Sequence, residues 1–131
     1  MQQAIPDKST VHSTIDISDS FSIRDVNVVL NITHARDADL QVFLRGPDGT
    51  VIELFSGVGG SGKNFLNTVL DDAATTSITA ATAPFSGVFR PVGDLSALEG
   101  KDTRGTWTLE VRDTAKRNTG TLNTWSLIIE H

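Results

Sequence analysis

The residues of this sequence that are best suited to chemistry are aspartates at the ends of predicted strands. Asp37 and Asp39 precede one strand, Asp71 and Asp72 follow another, and Asp113 follows a third. Ca²⁺ takes several oxygen ligands from carboxylates, backbone carbonyls and water, and loops at one rim of a β-sandwich can converge to supply them. The alternative is that each aspartate caps neighbouring backbone N–H groups. The residues alone favour capping, because no EF-hand spacing is present.

A glycine-rich segment, residues 56–64, is the second candidate for a binding loop. It superficially resembles a phosphate-binding P-loop, because its glycines lead into Lys63. A P-loop needs Ser or Thr after the lysine and a helix behind it. Asn64 stands at that position here, and residues 65–70 alternate like a strand. Without a helix N-terminus to hold phosphate, the segment is predicted to be a flexible surface loop.

The sequence offers few residues that could carry out nucleophilic or metal-assisted catalysis. The histidines are His12, His34 and His131, and His34 alone lies in a segment predicted to be ordered. A Ser-His-Asp triad needs an exposed serine beside a held histidine, but the sequence has no Gly-x-Ser-x-Gly elbow. It also has no HExxH or CxxC motif for zinc. We therefore predict no catalytic residues and a hydrogen-bonded or capping role for His34.

Two strands near the C-terminus would provide the scaffold for these loops. Apolar residues alternate with polar ones in residues 105–113 and 120–129, which is the period of a half-buried strand. Trp107 and Trp125 fall on the apolar faces, and a polar, glycine-containing link joins the two strands. The pattern predicts an antiparallel hairpin with both tryptophans in the core.

The remaining elements predict an all-β fold. Residues 26–33 alternate as a strand, and residues 40–45 and 51–55 flank a Gly-Pro-Asp-Gly turn, which predicts a hairpin. About eight short strands with regular turn signals indicate a β-sandwich or jelly roll. Residues 13–131 are predicted to form this single domain. Residues 1–12 are polar, contain Pro6 and show no period, so they are interpreted as a linker or cloning remnant.

Bulk properties exclude several partners. The chain has 131 residues and a net charge of −5 with scattered basic residues, which argues against a nucleic-acid partner. No apolar run is long enough for a membrane span, and no signal peptide is present in the sequence. The absence of cysteine leaves the redox compartment open.

The ordered set of motifs resembles the P domain (P/Homo B domain) of subtilisin-like proprotein convertases and related bacterial secreted proteases. The similarity extends from residue 23 to the end of the chain. The segments that carry it are Val28–His34, Asp39–Leu40, Leu44–Thr50, Gly59–Phe65, Thr68–Ala74, Gly87–Pro91, Gly105–Leu109, Asp113, Gly120–Leu122 and Trp125–Leu127.

This resemblance implies an eight-stranded, galactose-binding-like jelly-roll β-sandwich without catalytic residues. It implies a domain C-terminal to a serine or metalloprotease domain of the same polypeptide, extracellular, bacterial and monomeric. It also implies calcium at Asp39, Asp71 and Asp72, with Asp37 and Asp113 as contributors. One departure opposes calcium, since Lys63 occupies a position that is often acidic in the family and would repel a cation.

Two functions follow as hypotheses. The first is a non-catalytic domain that stabilises and modulates the adjacent protease domain in cis, which predicts an exposed apolar patch on one sheet. Val29 and Phe43 are its candidates, because both interrupt otherwise polar outward faces. An equal alternative for Val29 is that a loop of the sandwich itself buries it. The alternative is an extracellular module that binds a protein or glycan polymer. Glycan binding usually needs exposed aromatic platforms, which are not expected when both tryptophans are buried.

Overall fold

The computed structural model describes residues 2–131 as two packed β-sheets. The strands are β1 (Gln3–Ile5), β2 (Thr10–Ile17), β3 (Asp25–His34), β4 (Leu40–Arg45), β5 (Val51–Ser56), β6 (Phe65–Leu70), β7 (Gly87–Phe89), β8 (Gly105–Asp113) and β9 (Gly120–Glu130). Three short 3₁₀ turns, Asp37–Asp39, Ile78–Ala80 and Leu95–Leu98, connect them. Within residues 2–131 we find no helix with the length and apolarity needed to cross a membrane.

The two sheets have the orders β1-β9-β3-β6-β7 and β2-β8-β4-β5. All strand pairs are antiparallel except β6 and β7, which run parallel. The all-β sandwich is therefore confirmed, and the strand order is compatible with the predicted jelly roll. The described residues form nine strands, so the expected number of eight is too low by one.

The prediction of a linker over residues 1–12 is wrong for most of that segment. Gln3–Ile5 pairs with the start of β9, and β2 begins at Thr10 and pairs with β8 along its whole length. Ile5 is fully buried in the core. A three-residue strand followed by Pro6 is too short to show a period of two, so pattern alone does not reveal it. Met1 lies outside the described residues.

The predicted hairpin of the two tryptophan strands is also wrong. β8 pairs with β2 and β4, whereas β9 pairs with β1 and β3, so the two strands lie in opposite sheets. Alternation in a sequence shows which face of a strand is buried but not which strand is its neighbour. The burial of both tryptophans is confirmed, and each indole N–H is satisfied. Trp107 donates to the carbonyl of Thr103 and Trp125 to the hydroxyl of Ser13, each at 2.9 Å.

The core lies between the sheets and is closed on one side by a stack of aromatic rings. Phe55 and Phe65 stack with ring centroids 4.7 Å apart, and Phe65 stacks on Phe85 at 5.0 Å. All three side chains are buried. Stacked rings of this kind add a small favourable term to their burial and fix the β5–β6 region against the loop that contains Phe85.

Candidate functional site

The five candidate aspartates do not converge on one site. The distance between the two groups of aspartates follows from the length of strand β3. His34 is the last residue of β3, and Val28, which pairs with Leu70, lies near the other end of the strand. Asp71 directly follows Leu70. Six strand residues span about 20 Å, so Asp71 and Asp72 lie far from the end of the sandwich that holds His34. A single calcium site built from all five carboxylates does not fit this fold.

Asp71 and Asp72 accept hydrogen bonds from backbone N–H groups, which is the capping role given above as the alternative to calcium binding. The two carboxylate oxygens of Asp72 accept hydrogen bonds from the backbone N–H groups of Leu95 and Ser96 at 3.0 and 2.8 Å. Asp71 accepts the backbone N–H of Ala73 at 2.9 Å. These contacts hold the loop after β6 against the 3₁₀ turn Leu95–Leu98.

His34, Asp39 and Asp113 form a buried cluster in which one metal-binding atom of each residue lies within 4.8 Å of the others. His34 Nε2 is 2.8 Å from Asp113 Oδ2. The neighbouring strand β9 lies so close to β3 that a side chain at Gly120 would overlap the carbonyl of Thr33 and the His34 ring. Glycine at this position therefore allows β9 to approach β3 closely beside His34.

The hydrogen bonds of this cluster are complete without a metal ion. The backbone N–H of Arg36 donates to His34 Nδ1 at 3.0 Å, so the ring proton sits on Nε2 and is donated to Asp113. Metal-bound histidines have the opposite arrangement, with the second ring nitrogen donating to an acceptor. The remaining contacts are Ala115 N to Asp113 Oδ1, Asn118 Nδ2 to Asp39 Oδ2, and an ion pair between Arg36 and Asp39. The cluster is a structural network, as predicted for His34.

Asp37 differs from this network although it is only two residues from Asp39. Its side chain is fully buried, and neither carboxylate oxygen has a hydrogen-bond partner among the described residues. The glycine-rich segment covers it. Asp37 N donates to the carbonyl of Gly62 at 2.9 Å, and a Cβ at Gly59, whose φ is +92°, would lie 3.0 Å from the Asp37 Cβ. The segment predicted as a flexible surface loop is thus the cover of a buried carboxylate.

Burial raises the pKa of Asp37 to about 7 and outweighs the opposing effect of the nearby backbone N–H of Asn64. That N–H makes its hydrogen bond to the carbonyl of His34 and not to the Asp37 carboxylate. An orphaned buried carboxylate is uncommon in proteins and needs an explanation such as a bound ion or water. A hard cation would supply the missing partner to both oxygens. Asp37 is therefore the member of the predicted set whose surroundings fit a cation.

A second feature is a row of valines on the outward face of the five-stranded sheet. Val29 pairs with Val69, and Val69 pairs with Val88, so their side chains lie side by side across β3, β6 and β7. Ile128 on β9 adds to the same face, because it lies opposite Asn27, two positions along β3 from Val29. Val88 and Ile128 are 51% and 55% exposed. Among the candidates for an apolar patch, Val29 belongs to this row.

Phe43, the other candidate, belongs to a different kind of surface. Its cross-strand neighbours are Glu53 and Glu110, and the Arg112 guanidinium lies 4.9 Å from the centre of its ring. This cation–π contact covers the ring and surrounds it with charge. The contributions of Val69, Val88 and Ile128 were missed by the sequence reasoning, because strand neighbours define the patch and no pattern within one strand reports them.

The fold and its surfaces define a small β-sandwich module with a buried acidic cluster and an apolar sheet face. The family of proprotein convertase P-domains matches residues 23–129, and the chain belongs to that family. This result confirms the resemblance noted from the sequence.

Several relatives resemble the chain over most of its length. It is 30% identical over 100 residues to the leupeptin-inactivating enzyme 1 of Streptomyces exfoliatus. The aligned region covers 76% of this chain and 17% of that protein. It is also 30% identical over 128 residues to a calcium-dependent protease of Nostoc sp. strain PCC 7120. That aligned region covers 96% of this chain and 16% of the relative. The chain thus spans about one-sixth of the length of these relatives.

Solved structures support the fold. The serine protease of Aeromonas sobria aligns over 98% of this chain and 26% of its own, with a TM-score of 0.62 and 20% identity. The complex of that protease with the chaperone ORF2 aligns over 98% of this chain and 21% of the matched chain, with a TM-score of 0.55 and 25% identity. The chain is therefore a P domain that resembles one part of longer bacterial proteases.

Proposed function

We propose that this P domain is a non-catalytic module that stabilises a protease domain of the same polypeptide, outside the cell. The observation that carries the proposal is the apolar row of Val29, Val69 and Val88 with Ile128 beside it. Its support is that the chain matches only about one-sixth of the length of protease relatives, which leaves room for a large neighbouring domain.

The neighbour is expected to cover the valine row for energetic reasons. Burying an exposed aliphatic side chain contributes about 1.5–3 kcal/mol, so four partly exposed side chains can hold a domain interface. The four-stranded sheet offers no equal surface, because Glu53, Glu110 and Arg112 surround Phe43. Both tryptophans are buried, which leaves the glycan-binding alternative without a tryptophan platform.

Thermal inactivation of the full-length polypeptide tests this proposal. We expect the double substitution of Val88→Asp and Ile128→Asp to lower the inactivation temperature by several degrees, consistent with a loss of about 2–4 kcal/mol at the interface. Val51→Asp is the matched control, since Val51 is 48% exposed but lies on the other sheet. Equal inactivation of the double variant and the control would contradict the proposal, provided that the isolated domain variants unfold at the same temperature.

We also propose that Asp37 supplies the charged ligand of one Ca²⁺, with backbone carbonyls of the Gly57–Gly62 segment and water completing its coordination. The support is the orphaned, fully buried carboxylate beneath that segment. Two of the relatives are named calcium-dependent proteases, which accords with such a site. Bound calcium would fix the covering segment against the turn Asp37–Asp39. Asp39, Asp71, Asp72 and Asp113 are left out of this site because each of these carboxylates already accepts at least one hydrogen bond.

A further inference from the structure

Strand β7 forms one edge of the five-stranded sheet and carries the outer end of the valine row. It has three residues, Gly87–Phe89, and within residues 2–131 its only strand partner is β6. An edge strand this short is held by few backbone hydrogen bonds, so it opens at a low cost in free energy. The position of Val88, which is exposed on the outward face, therefore depends on what supports β7 from the core.

The aromatic stack of the core gives β7 this support. The ring of Phe89 lies edge-on to the ring of Phe85, with ring centroids 6.0 Å apart. Phe85 is buried, and its carbonyl accepts a hydrogen bond from the Thr68 hydroxyl at 2.8 Å. Phe85 also lies just three residues before Val88 in the chain. A shift of Phe85 would therefore move β7 both through the backbone and through the Phe89 ring.

Gly59 of the glycine-rich segment lies between this stack and Asp37. A Cβ at Gly59 would lie 3.0 Å from the Asp37 Cβ and 3.0 Å from Cε2 of Phe85, so a side chain there would displace one of the two. Gly60 also has a positive φ, of +54°, but a Cβ at Gly60 would meet no atom of the described residues within 4 Å. Gly59 is therefore the glycine that contacts both the buried carboxylate residue and the aromatic stack.

We propose that the occupancy of the Asp37 site controls strand β7, with Gly59 as the link. Neither carboxylate oxygen of Asp37 has a hydrogen-bond partner in the part of the chain that the structure describes. An ionised carboxylate is costly to bury alone, and lifting the glycine-rich segment to admit water is the nearest relief. A lifted segment no longer packs against the Phe85 ring, so β7 loses its support from the core.

A cation at Asp37 favours the closed arrangement, because the closed segment lies over the carboxylate and is bonded to the same turn. The backbone N–H of Asp37 donates to the carbonyl of Gly62 at 2.9 Å. A ligand that binds the closed state better shifts the equilibrium toward it, and β7 is then held. Val88 stays in line with Val69 and Val29, which it extends across the sheet. The inference rests on the proposed function, since it makes the cation a regulator of the surface that docks the protease domain.

Amide hydrogen exchange of β7 in this chain tests the coupling, with β2 as the reference. Strand β2 is also an edge strand but lies in the other sheet. At about pH 8, above the pKa of about 7 for Asp37, we expect Ca²⁺ to slow exchange in residues 87–89 by about tenfold or more relative to EDTA. Exchange in β2 should not change.

Variants of Asp37 and of the two glycines separate the coupling from calcium binding itself. Asp37→Asn keeps the shape of the side chain without its charge, so β7 should exchange slowly already in EDTA. Adding Gly59→Ala to that variant should restore fast exchange at β7, because the new methyl group meets the Phe85 ring. Adding Gly60→Ala is the matched control, since it also places a side chain at positive φ but in open space, and β7 should stay slow.

Three results would overturn the inference. The first is equal slowing of β7 and β2 by Ca²⁺, which would indicate a general gain in stability. The second is equal exchange at β7 in Asp37→Asn and the unsubstituted chain in EDTA. The third is an equal effect of the two glycine substitutions. Failure of the proposed cation site is distinguishable, because calorimetry then shows no calcium binding while the comparison of Asp37→Asn with the unsubstituted chain still decides the coupling. Docking of the protease domain does not enter, since every measurement uses this chain alone.

Discussion

Asp37 and Asp39 belong to the same 3₁₀ turn and both are buried, yet their carboxylates have opposite surroundings. Asp39 lies in a network with His34, Asp113, Asn118 and Arg36, in which each carboxylate oxygen has a donor or a positive partner. Asp37 lies beneath the glycine-rich segment, and neither of its oxygens has a partner among the described residues.

This difference separates a structural role from a binding role. A buried polar group that is fully satisfied contributes to specificity and rigidity, and it has little affinity left for an ion. A buried carboxylate without partners destabilises the fold until it is protonated or a cation binds. Proximity of ligand-type residues is therefore a weaker guide to a metal site than an unsatisfied oxygen, and the four predictions below test this contrast.

The largest expected effect is at the satisfied network. Asp113→Ala leaves the His34 Nε2–H and the Ala115 N–H without acceptors in a buried place, so we expect a loss of about 3–5 kcal/mol in the free energy of unfolding. Urea unfolding of the isolated domain measures it. Asp37→Ala in EDTA is the matched comparison and should cost much less. A loss for Asp37→Ala as large as for Asp113→Ala would remove the distinction between the two carboxylates.

The pH dependence of stability is the second test, measured in EDTA. The pKa of Asp37 is raised to about 7, so the folded state holds a proton that the unfolded state releases above about 4. The stability that this proton provides is present below about pH 4 and is lost as the pH rises toward 7. The decline should amount to at most about 4 kcal/mol, because the pKa is raised by about three units and each unit corresponds to about 1.4 kcal/mol.

Asp37→Asn cannot ionise, so its stability should show a smaller decline over the same pH range. Urea unfolding at several pH values compares the two proteins. Parallel curves for the variant and the unsubstituted chain would show that Asp37 does not titrate in this window.

Calcium is the third test. With Ca²⁺ at about a hundred times its dissociation constant, binding to the folded state should add about 2.7 kcal/mol and raise the melting temperature by several degrees. Asp37→Asn should lose this response, and Asp71→Asn should keep it, because Asp71 caps a loop at the other end of the sandwich. Calorimetric titration of the isolated domain gives a second measurement. A calcium response that survives in Asp37→Asn would place the cation elsewhere.

The extent to which the sequence predicts this molecule follows from what a local pattern can report. Alternation correctly predicted the burial of Trp107 and Trp125, because burial of one face depends on residues within a strand. The Gly-Pro-Asp-Gly turn correctly predicted the hairpin of β4 and β5, because a turn is also a local signal. Alternation misassigned the partner of β8, since pairing joins residues that are distant in the chain. Residue type and the family resemblance grouped five aspartates that the fold divides between two ends.

The candidate site was predictable in part for a similar reason. Asp37 was named from residue type and position, but its lack of partners depends on how Gly59 and Gly62 fold over it. The valine row depends on the register of β3, β6 and β7. The sequence suggested only one of its residues, Val29. Residue type therefore identified candidates, and three-dimensional neighbours decided between them.

The smallest effect concerns a third kind of carboxylate, the partly exposed cap. Asp72 accepts two backbone N–H groups at the start of the turn Leu95–Leu98, so Asp72→Ala should cost about 1 kcal/mol, as for other capping residues. Asp94 is a matched control, because it precedes the same turn but makes no side-chain capping bond, and Asp94→Ala should change stability by less than about 0.5 kcal/mol. Urea unfolding in calcium and in EDTA separates the two roles. The cost of Asp72→Ala should be the same in both, since a cap needs no cation, and a calcium-dependent cost would return Asp72 to the metal site.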